Sequence, residues 1–354
     1  MKRNYKTSIV ILLTLILFVG GFLHAEKILS YKWDNAEYVQ SRKNLLMSLP
    51  QDSVDVLFLG ASGIQYGFHP ARLYEKTGIR SFNLGLPFQP PLAVYYNLQE
   101  TLRRHKPKVV VIDFSFLDAY PDANNKKYVS RYQRSYTDFQ SRILKKQYLQ
   151  DVQNLSPGID TLSFISQFYN YHTRWKNLTK NDFTGHGGYR KMLLGTRLWF
   201  QYEQLKMYDS SLNKQKEKTY EVDKRSEEVY GRLIQLCKEQ GIAVVSVLPA
   251  RNGTTLNQQN LFKEHAAENQ LHYVDFNLPE VQRATGLDLS TDFRDAKHVN
   301  ILGARKNTDY IGEYILEQNL LTPEAYPEAD RLYKAWATEY AEIPLKMIDI
   351  SDKK

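Results

Sequence analysis

Cysteine is almost missing from this chain of 354 residues, since Cys237 is the only one. A single cysteine excludes an intrachain disulfide and a zinc site built on several thiolates, so the fold must depend on packing. Long apolar runs are also scarce. There is one, at the amino end, and a mean hydropathy of −0.50 is too polar for a protein that crosses a membrane many times. The sequence has no internal repeat and no low-complexity tract.

The one apolar run extends from Ser8 to Ala25, follows three basic residues and contains no charged side chain. Its helix would be about 27 Å long, enough to cross a bilayer once. A cleaved secretory signal is the alternative, and the lack of a cysteine after the run excludes a lipoprotein anchor. We predict that residues 1–26 are a cytoplasmic stub and a transmembrane signal anchor. The protein is then a single-pass protein of the cell membrane with most of the chain extracytoplasmic, because the basic residues precede the span.

The net charge of +8 favours anionic partners. An extracytoplasmic location makes nucleic acid an unsuitable partner. The membrane surface and acidic polymers of the cell wall remain as the expected partners of the positive charge.

Five short apolar runs alternate with helix-like segments in the rest of the chain, and this alternation is typical of a parallel sheet with helices on both faces. We predict strands at 54–59, 79–84, 106–117, 242–249 and 271–276. Helices are predicted at 71–78, 92–105, 220–239, 257–269 and 303–319. The predicted fold is α/β: a flavodoxin-like three-layer sandwich with a five-stranded parallel sheet.

The pattern divides the chain after the anchor into four segments. Residues 27–119 and 220–321 form the two parts of the α/β domain, 120–219 is predicted to be a helical insertion without strands, and 322–354 a C-terminal extension packed on the surface. Seven Lys and Arg residues between 126 and 146 are interleaved with tyrosines. They could form a platform for an anionic polysaccharide, but a solvated helix face with the tyrosines packed inward is the preferred interpretation.

Candidate catalytic residues follow from the rule that ligands bind at the carboxyl ends of the strands in such a sheet. Ser62 follows the first strand, and Asp295 and His298 lie three positions apart before the last helix. An imidazole oriented by a carboxylate is the base that a nucleophilic serine needs. Taken singly, each of these residues has an ordinary alternative as a helix cap or a loop residue. Asp292, Asp295 and His298 could also ligate a metal, but ordinary loop polarity is the preferred interpretation, and no metal and no cofactor is predicted.

The other candidate residues follow the second, third and fourth strands. The backbone N–H groups of Ser62 and Gly85 are predicted to stabilise an oxyanion, with the hydroxyl of Ser115 as a further donor. Asn83 and Arg251 are predicted to bind substrate.

Three segments carry a resemblance to the SGNH (GDSL-like) hydrolase superfamily, specifically to its membrane-anchored cell-envelope branch. FLGASGIQYGFHP resembles the block with the nucleophile, here Ser62, and SFNLG the block whose glycine, here Gly85, donates to the oxyanion. DFRDAKHVNILGARK is similar to the closing block with its Asp-x-x-His pair, here Asp295 and His298. The third block ordinarily has Gly-x-Asn, and Ser115 stands here in the place of the asparagine.

The resemblance implies acyl transfer through an acyl-serine, either as an esterase or as an O-acyltransferase of a wall or secreted polysaccharide or a teichoic acid. It also implies a polytopic membrane O-acyltransferase as a partner. The alternative is a catalytically degenerate relative that binds a polymer or holds a partner enzyme.

Overall fold

The computed structural model describes residues 2–29, 36–184, 193–205, 219–251 and 254–351. Within these ranges the strands are β1 (Val56–Leu59), β2 (Ser81–Asn83), β3 (Val109–Asp113), β4 (Gln201–Tyr202), β5 (Ala243–Leu248), β6 (His272–Asp275), β7 (Phe293–Asp295), β8 (His298–Val299) and β9 (Ile348–Asp349). The helices of the same ranges are α1 (Lys2–Leu29), α2 (Ala36–Ser48), α3 (Ser62–Gly67), α4 (Pro70–Thr77), α5 (Pro91–Thr101), α6 (Lys126–Asp138), α7 (Arg142–Leu155), α8 (Leu162–Ile165), α9 (Gln167–Tyr171), α10 (Lys180–Thr184), α11 (Lys224–Glu239), α12 (Leu256–Glu268), α13 (Pro279–Thr285), α14 (Ile301–Glu317) and α15 (Pro327–Ala341), with a 3-10 helix at His172–Asn177.

The central sheet has the order β2-β1-β3-β5-β6, and all of its pairs are parallel. This is the strand order of the flavodoxin type, in which the chain starts inside the sheet and winds in both directions. The predicted α/β fold with a five-stranded parallel sheet is therefore confirmed. The observed strands are shorter than the apolar runs that predicted them, because the run continues into the loop at either end.

Both faces of the sheet are covered, which is why its strands read as unbroken apolar runs. Alternate side chains of β1 enter different cores: Leu57 packs in one cluster with Leu233 of α11, and Phe58 in the other with Ile311 of α14. The period of two along each strand produces the three layers. The helix predicted at 71–78 is α4, and Gly78 ends it with φ 72°, a conformation that favours glycine.

The predicted helical insertion contains α6 to α10 and the 3-10 helix between 126 and 184, but residues 196–205 are not helical and include β4. Residues 185–192 and 206–218 lie outside the described ranges. Helices α6 and α7 pack against α5 around a core of their own that includes Tyr132 and Tyr148, both fully buried. The tyrosines thus pack inward, as predicted. Arg134 departs from the solvated face, since it is buried and donates to the carbonyl of Pro87 at 2.7 Å.

The C-terminal segment is more than a surface extension. Helix α15 packs against α4 and buries Tyr333 and Tyr340 completely. The Tyr333 hydroxyl donates to the carbonyl of Ser81 in the central sheet at 3.1 Å. A two-stranded parallel sheet also joins β4 of the insertion to β9, although the insertion was predicted to have no strand. These pairings are long-range, so they leave no local signal in the sequence.

The amino-terminal helix α1 is the one helix in the described part of the chain that is long and apolar enough to cross a membrane. Its candidate span is Tyr5–Leu29, with a mean hydropathy of 2.4 and no buried part. This supports the predicted transmembrane helix by length and composition.

Candidate active site

A sharp turn after β1 presents Ser62 at the carboxyl end of the sheet. Gly60 in this turn has φ 143°, and a Cβ there would lie 2.8 Å from Ile64 and 2.9 Å from Asp113. Only glycine fits, because L side chains avoid this φ and the space is already filled. The chain then enters α3, and Ser62 is its first residue.

A hairpin of β7 and β8 brings the acid and the base to this serine, where the sequence predicted only a loop. The Nε2 atom of His298 lies 2.9 Å from the Oγ atom of Ser62, and its Nδ1 atom lies 2.8 Å from Oδ1 of Asp295. With a carboxylate accepting from Nδ1, the neutral ring carries its proton there, and Nε2 accepts from the serine hydroxyl. The cap of α14 is Asn300, which accepts from the N–H of Leu302, so Asp295 remains available to the imidazole.

Asp295 stays ionised in this setting. Burial would raise the pKa of its carboxyl, but the hydrogen bond and charge of His298, the N–H of Lys297 and the charge of Arg294 lower that pKa to about 2. The carboxylate can therefore orient the imidazole and stabilise its positive charge when it accepts a proton.

An aromatic stack supports the base. Trp199 stacks on Tyr66 at 3.7 Å between ring centroids, and the guanidinium of Arg294 lies 3.7 Å from the Trp199 ring. The His298 ring packs edge-on against both aromatic rings, at 5.4 and 5.6 Å. Arg294 also donates to Asp295 at 2.8 Å. The stack thus holds the imidazole and its carboxylate partner from one side. Trp199 lies in the predicted insertion 120–219.

The predicted donor at Gly85 is engaged elsewhere. Its N–H donates to Oδ1 of Asn83 at 2.9 Å, so it is not directed at a reacting carbonyl. Asn83 is completely buried and its amide donates to the carbonyls of Ile64 and Phe68, both at 2.8 Å. The side chain thus ties the loop after β2 to α3, and the binding of substrate by Asn83 stays a prediction. This arrangement depends on the rotamer of one amide, and the sequence gives no sign of it.

Ser115 lines the pocket, but its hydroxyl is hydrogen-bonded to Oδ2 of Asp113. Asp113 is 2% exposed, and burial raises the pKa of its carboxyl despite the hydrogen bonds from Ser115 and the N–H of Ala61. A substrate would have to compete with Asp113 for the Ser115 hydroxyl. Two of the predicted oxyanion donors, Gly85 and Ser115, are thus hydrogen-bonded within the protein, to Asn83 and Asp113.

A pocket of about 270 Å³ opens beside these residues at the carboxyl edge of the sheet, as the fold predicts. Phe88 and Phe116 contribute apolar surface, while Arg251 and Lys297 contribute positive charge. Arg251 is half-buried, and its Nε donates to Thr254 at 3.0 Å. Arg251 therefore lies where the sequence predicted a substrate-binding residue. Lys297 is exposed and was missed, although its position between Asp295 and His298 could have indicated it.

The described residues contain no group of three or more His, Cys, Asp or Glu side chains that could hold a metal ion. Asp292, the nearest further carboxylate in sequence, forms an ion pair with Lys306 at 2.6 Å. The carboxylates of this loop therefore have protein partners within the described ranges.

Comparison with known proteins yields a likeness to solved structures. No protein-family profile matches the chain, and no curated protein matches it. Among solved structures, the chain is similar to BT4096, a gut microbial diltiazem-metabolizing enzyme, with 18% sequence identity and a TM-score of 0.25. The alignment covers 77% of this chain and 48% of the other, so the chain spans about half the length of that structure. The function proposed below rests on the geometry of the site.

Proposed function

We propose that this chain is a membrane-anchored, extracytoplasmic serine acyltransferase or esterase that modifies a cell-envelope polymer through an acyl-serine. The observation that carries the proposal is the hydrogen-bonded line from Ser62 through His298 to Asp295, with distances of 2.9 and 2.8 Å. A serine, an imidazole and a carboxylate in this order form a nucleophile, its base and the group that orients the base.

The reaction has two steps. His298 removes the proton from Ser62 as Oγ attacks the ester carbonyl, and the collapse of the tetrahedral intermediate returns that proton to the leaving alcohol. Water or a polymer hydroxyl then attacks the acyl-serine, His298 takes its proton, and Ser62 is restored. Water gives hydrolysis, and a polymer hydroxyl gives transfer. The N–H groups of Ser62 and Gly63 are the donors proposed for the oxyanion, because the first N–H groups of a helix have no acceptor within the helix.

The pocket supports an acidic polymer as the acceptor or donor. Its volume suits a small acyl group, and Arg251 and Lys297 add positive charge beside Ser62. Cationic side chains at a cleft attract an anionic chain and raise its local concentration. The net charge of +8 acts in the same direction. A polytopic membrane O-acyltransferase that supplies acyl groups remains part of the proposal, on the resemblance alone.

A second candidate function is favoured by the engaged donors. Because Gly85 donates to Asn83 and Ser115 to Asp113, fewer groups point at a developing oxyanion than the predicted set contained. Loss of one such donor costs about 100-fold to 1000-fold in rate. The alternative is a membrane-tethered protein that binds a polymer or a partner enzyme without catalysis.

Labelling with a fluorophosphonate separates the two candidates. An active serine reacts covalently, so the parent protein should be labelled on the peptide that contains Ser62, and Ser62→Ala should abolish the labelling. Ser290→Ala, a change at an exposed serine near the closing hairpin, is the matched control and should be labelled like the parent. Equal labelling of the Ser62→Ala variant would overturn the nucleophile. No labelling of any form, with polymer binding retained by Ser62→Ala, would favour the binding protein.

A further inference from the structure

The end of α1 is docked on the insertion rather than detached from it. Glu26 accepts a hydrogen bond from the hydroxyl of Ser166 at 2.6 Å, and Phe22 packs against Phe168 with 5.5 Å between ring centroids. Arg174 donates to the carbonyls of Ile28 and Leu29, both at 3.3 Å, and so satisfies carbonyls that the last turn of a helix leaves open.

These contacts fix the depth of the insertion relative to the apolar run. Phe22 belongs to the run, and Glu26 is the first charged residue after it, about 6 Å further along the helix. Phe168 lies at the level of Phe22, and Ser166 lies at the level of Glu26. Helix α9 therefore lies at the level where α1 passes from the hydrocarbon core to the headgroups.

The same elements expose large aromatic side chains. Phe168 is 39% exposed, Trp175 64% and Phe183 63%, and Lys176 and Lys180 are exposed beside them. We define these five residues as the juxtamembrane face. Phe168 lies on α9, Trp175 and Lys176 on the 3-10 helix, and Lys180 and Phe183 on α10, and each of these three elements contacts α1.

Aromatic rings with lysines beside them are the side chains that concentrate at a membrane interface. The rings enter the boundary between headgroups and acyl chains, and the ammonium groups remain among the headgroups. The scaffold under this face is fixed, because Arg174 forms an ion pair with the buried Asp182 at 2.5 Å. The hydrogen bonds from Thr179 and Arg174 lower the pKa of Asp182 to about 2 although burial would raise it, so the pair stays charged.

We propose that the juxtamembrane face lies on the outer lipid surface, so that the insertion seats the α/β domain on the bilayer at a fixed distance from the anchor. The occupant is the lipid interface itself, because the face is continuous with the point where α1 leaves the hydrocarbon. This inference rests on the proposed membrane span and is independent of the proposed acyl transfer.

The test measures the depth of single labels on the full chain in vesicles of phosphatidylcholine and phosphatidylglycerol. Trp175→Cys and Phe183→Cys each receive an environment-sensitive fluorophore, and Leu256→Cys, with a comparable exposure of 58%, is the matched control. Cys237 does not interfere, since it is buried and burial raises the pKa of its thiol to about 12. Lipids that carry a nitroxide near the headgroup should quench the labels at 175 and 183 and leave the label at 256 bright.

An alkaline carbonate wash distinguishes a failure of this inference from a failure of the proposed membrane anchor. Retention of the chain in the membrane after an alkaline carbonate wash, with equal brightness of the labels at 175, 183 and 256, would overturn the inference and leave the span intact. Release of the chain by the wash would overturn both. Fluorophosphonate labelling of the same proteoliposomes reports on Ser62 separately, and its outcome bears on the acyl transfer alone.

Discussion

Gly63 packs so closely against Pro249 that a Cβ on the glycine would lie 2.6 Å from the Cγ atom of the proline. The proline follows β5, the strand next to β3 in the sheet, so this contact sets the distance between the nucleophile turn and the wall of the pocket. It also explains why the residue after Ser62 has no side chain here.

We expect Gly63→Ala to push the first turn of α3 away from the pocket wall. The clash should cost about 1–3 kcal/mol of stability, as is usual for overpacking, and slow fluorophosphonate labelling of Ser62. Gly231→Ala is the matched control. Gly231 lies inside α11 with nothing within 4 Å of a Cβ, so alanine there should stabilise the helix by up to about 1 kcal/mol and leave labelling unchanged. Urea unfolding and labelling rates of both variants in detergent test this, and normal labelling of Gly63→Ala would contradict it.

Asp295→Asn should slow labelling of Ser62 by on the order of 1,000-fold to 10,000-fold at neutral pH. The amide can donate to Nδ1 of His298, which places the ring proton on Nε2 and removes the acceptor of the serine proton. Asp288→Asn, a change at a carboxylate of the preceding loop whose partner is Ser290, is the control and should label normally. Labelling of Asp295→Asn at the parental rate would mean that the carboxylate does not select the tautomer.

The same carboxylate predicts a pH dependence of stability. Its pKa of about 2 is below the ordinary 3.8, because the hydrogen bond and charges around it outweigh the opposing effect of burial. A carboxyl whose pKa is lower in the folded state stabilises the fold above its unfolded pKa and loses this effect as the pH falls through the folded value. Solvent screening of this partly exposed side chain reduces the contribution to roughly 1 kcal/mol. The gap in unfolding free energy between parent and Asp295→Asn should therefore narrow by this amount as the pH falls from about 5 to about 2. A gap that stays unchanged down to about pH 2 would show that the pKa of Asp295 is not lowered in the folded state.

Much of this architecture was readable in the sequence. Unbroken runs such as 109–112 predicted strands buried on both faces, and the residues just after those strands pointed to the pocket. Ser62 and His298 are 236 positions apart, yet the expected spatial meeting is what the structure has. Local patterns succeed here because strand ends of a parallel sheet converge on one edge.

What the sequence could not predict are the contacts that depend on tertiary packing. The hydrogen bond that engages Gly85 comes from the rotamer of Asn83, and Trp199 reaches His298 from the insertion. The burial of Tyr333 is of the same kind. Each of these contacts joins distant segments through one side chain. A contact of this kind produces no periodic pattern in the sequence, so the sequence does not predict it.

Trp199→Ala should disorder the base without removing it. The imidazole would lose an edge-on contact, and the guanidinium of Arg294 would lose the aromatic ring that it packs against. A misplacement of a catalytic group by about 1 Å can cost 100-fold in rate. Trp199→Phe keeps an aromatic surface and should restore most of the labelling rate. Trp175→Ala, the same change at an exposed position, should leave the rate as in the parent. Equal rates for Trp199→Ala and Trp175→Ala would show that the stack does not position His298.

Lys43 belongs to a buried ion pair outside the site, and its loss should be strongly destabilising. Its Nζ atom lies 2.9 Å from Glu100, and both side chains are completely buried. Burial would raise the pKa of Glu100, but Lys43 and the N–H groups of Ser141 and Gln140 lower it, so the carboxylate is charged at neutral pH. Lys43→Met leaves that charge uncompensated in the interior, which costs about 3–5 kcal/mol.

The exposed pair of Lys108 and Glu324 provides the matched comparison for this change. Its atoms are 3.1 Å apart, but the two side chains are 38% and 73% exposed, so Lys108→Met should cost less than about 1 kcal/mol. Adding Glu100→Gln to Lys43→Met removes the unpaired charge while keeping an acceptor for the N–H of Ser141, and should recover much of the loss. Urea unfolding followed by circular dichroism measures all of these proteins. Equal losses for the two lysine variants would show that burial does not determine the contribution of these ion pairs, whereas recovery in the double variant would assign the loss to the isolated carboxylate.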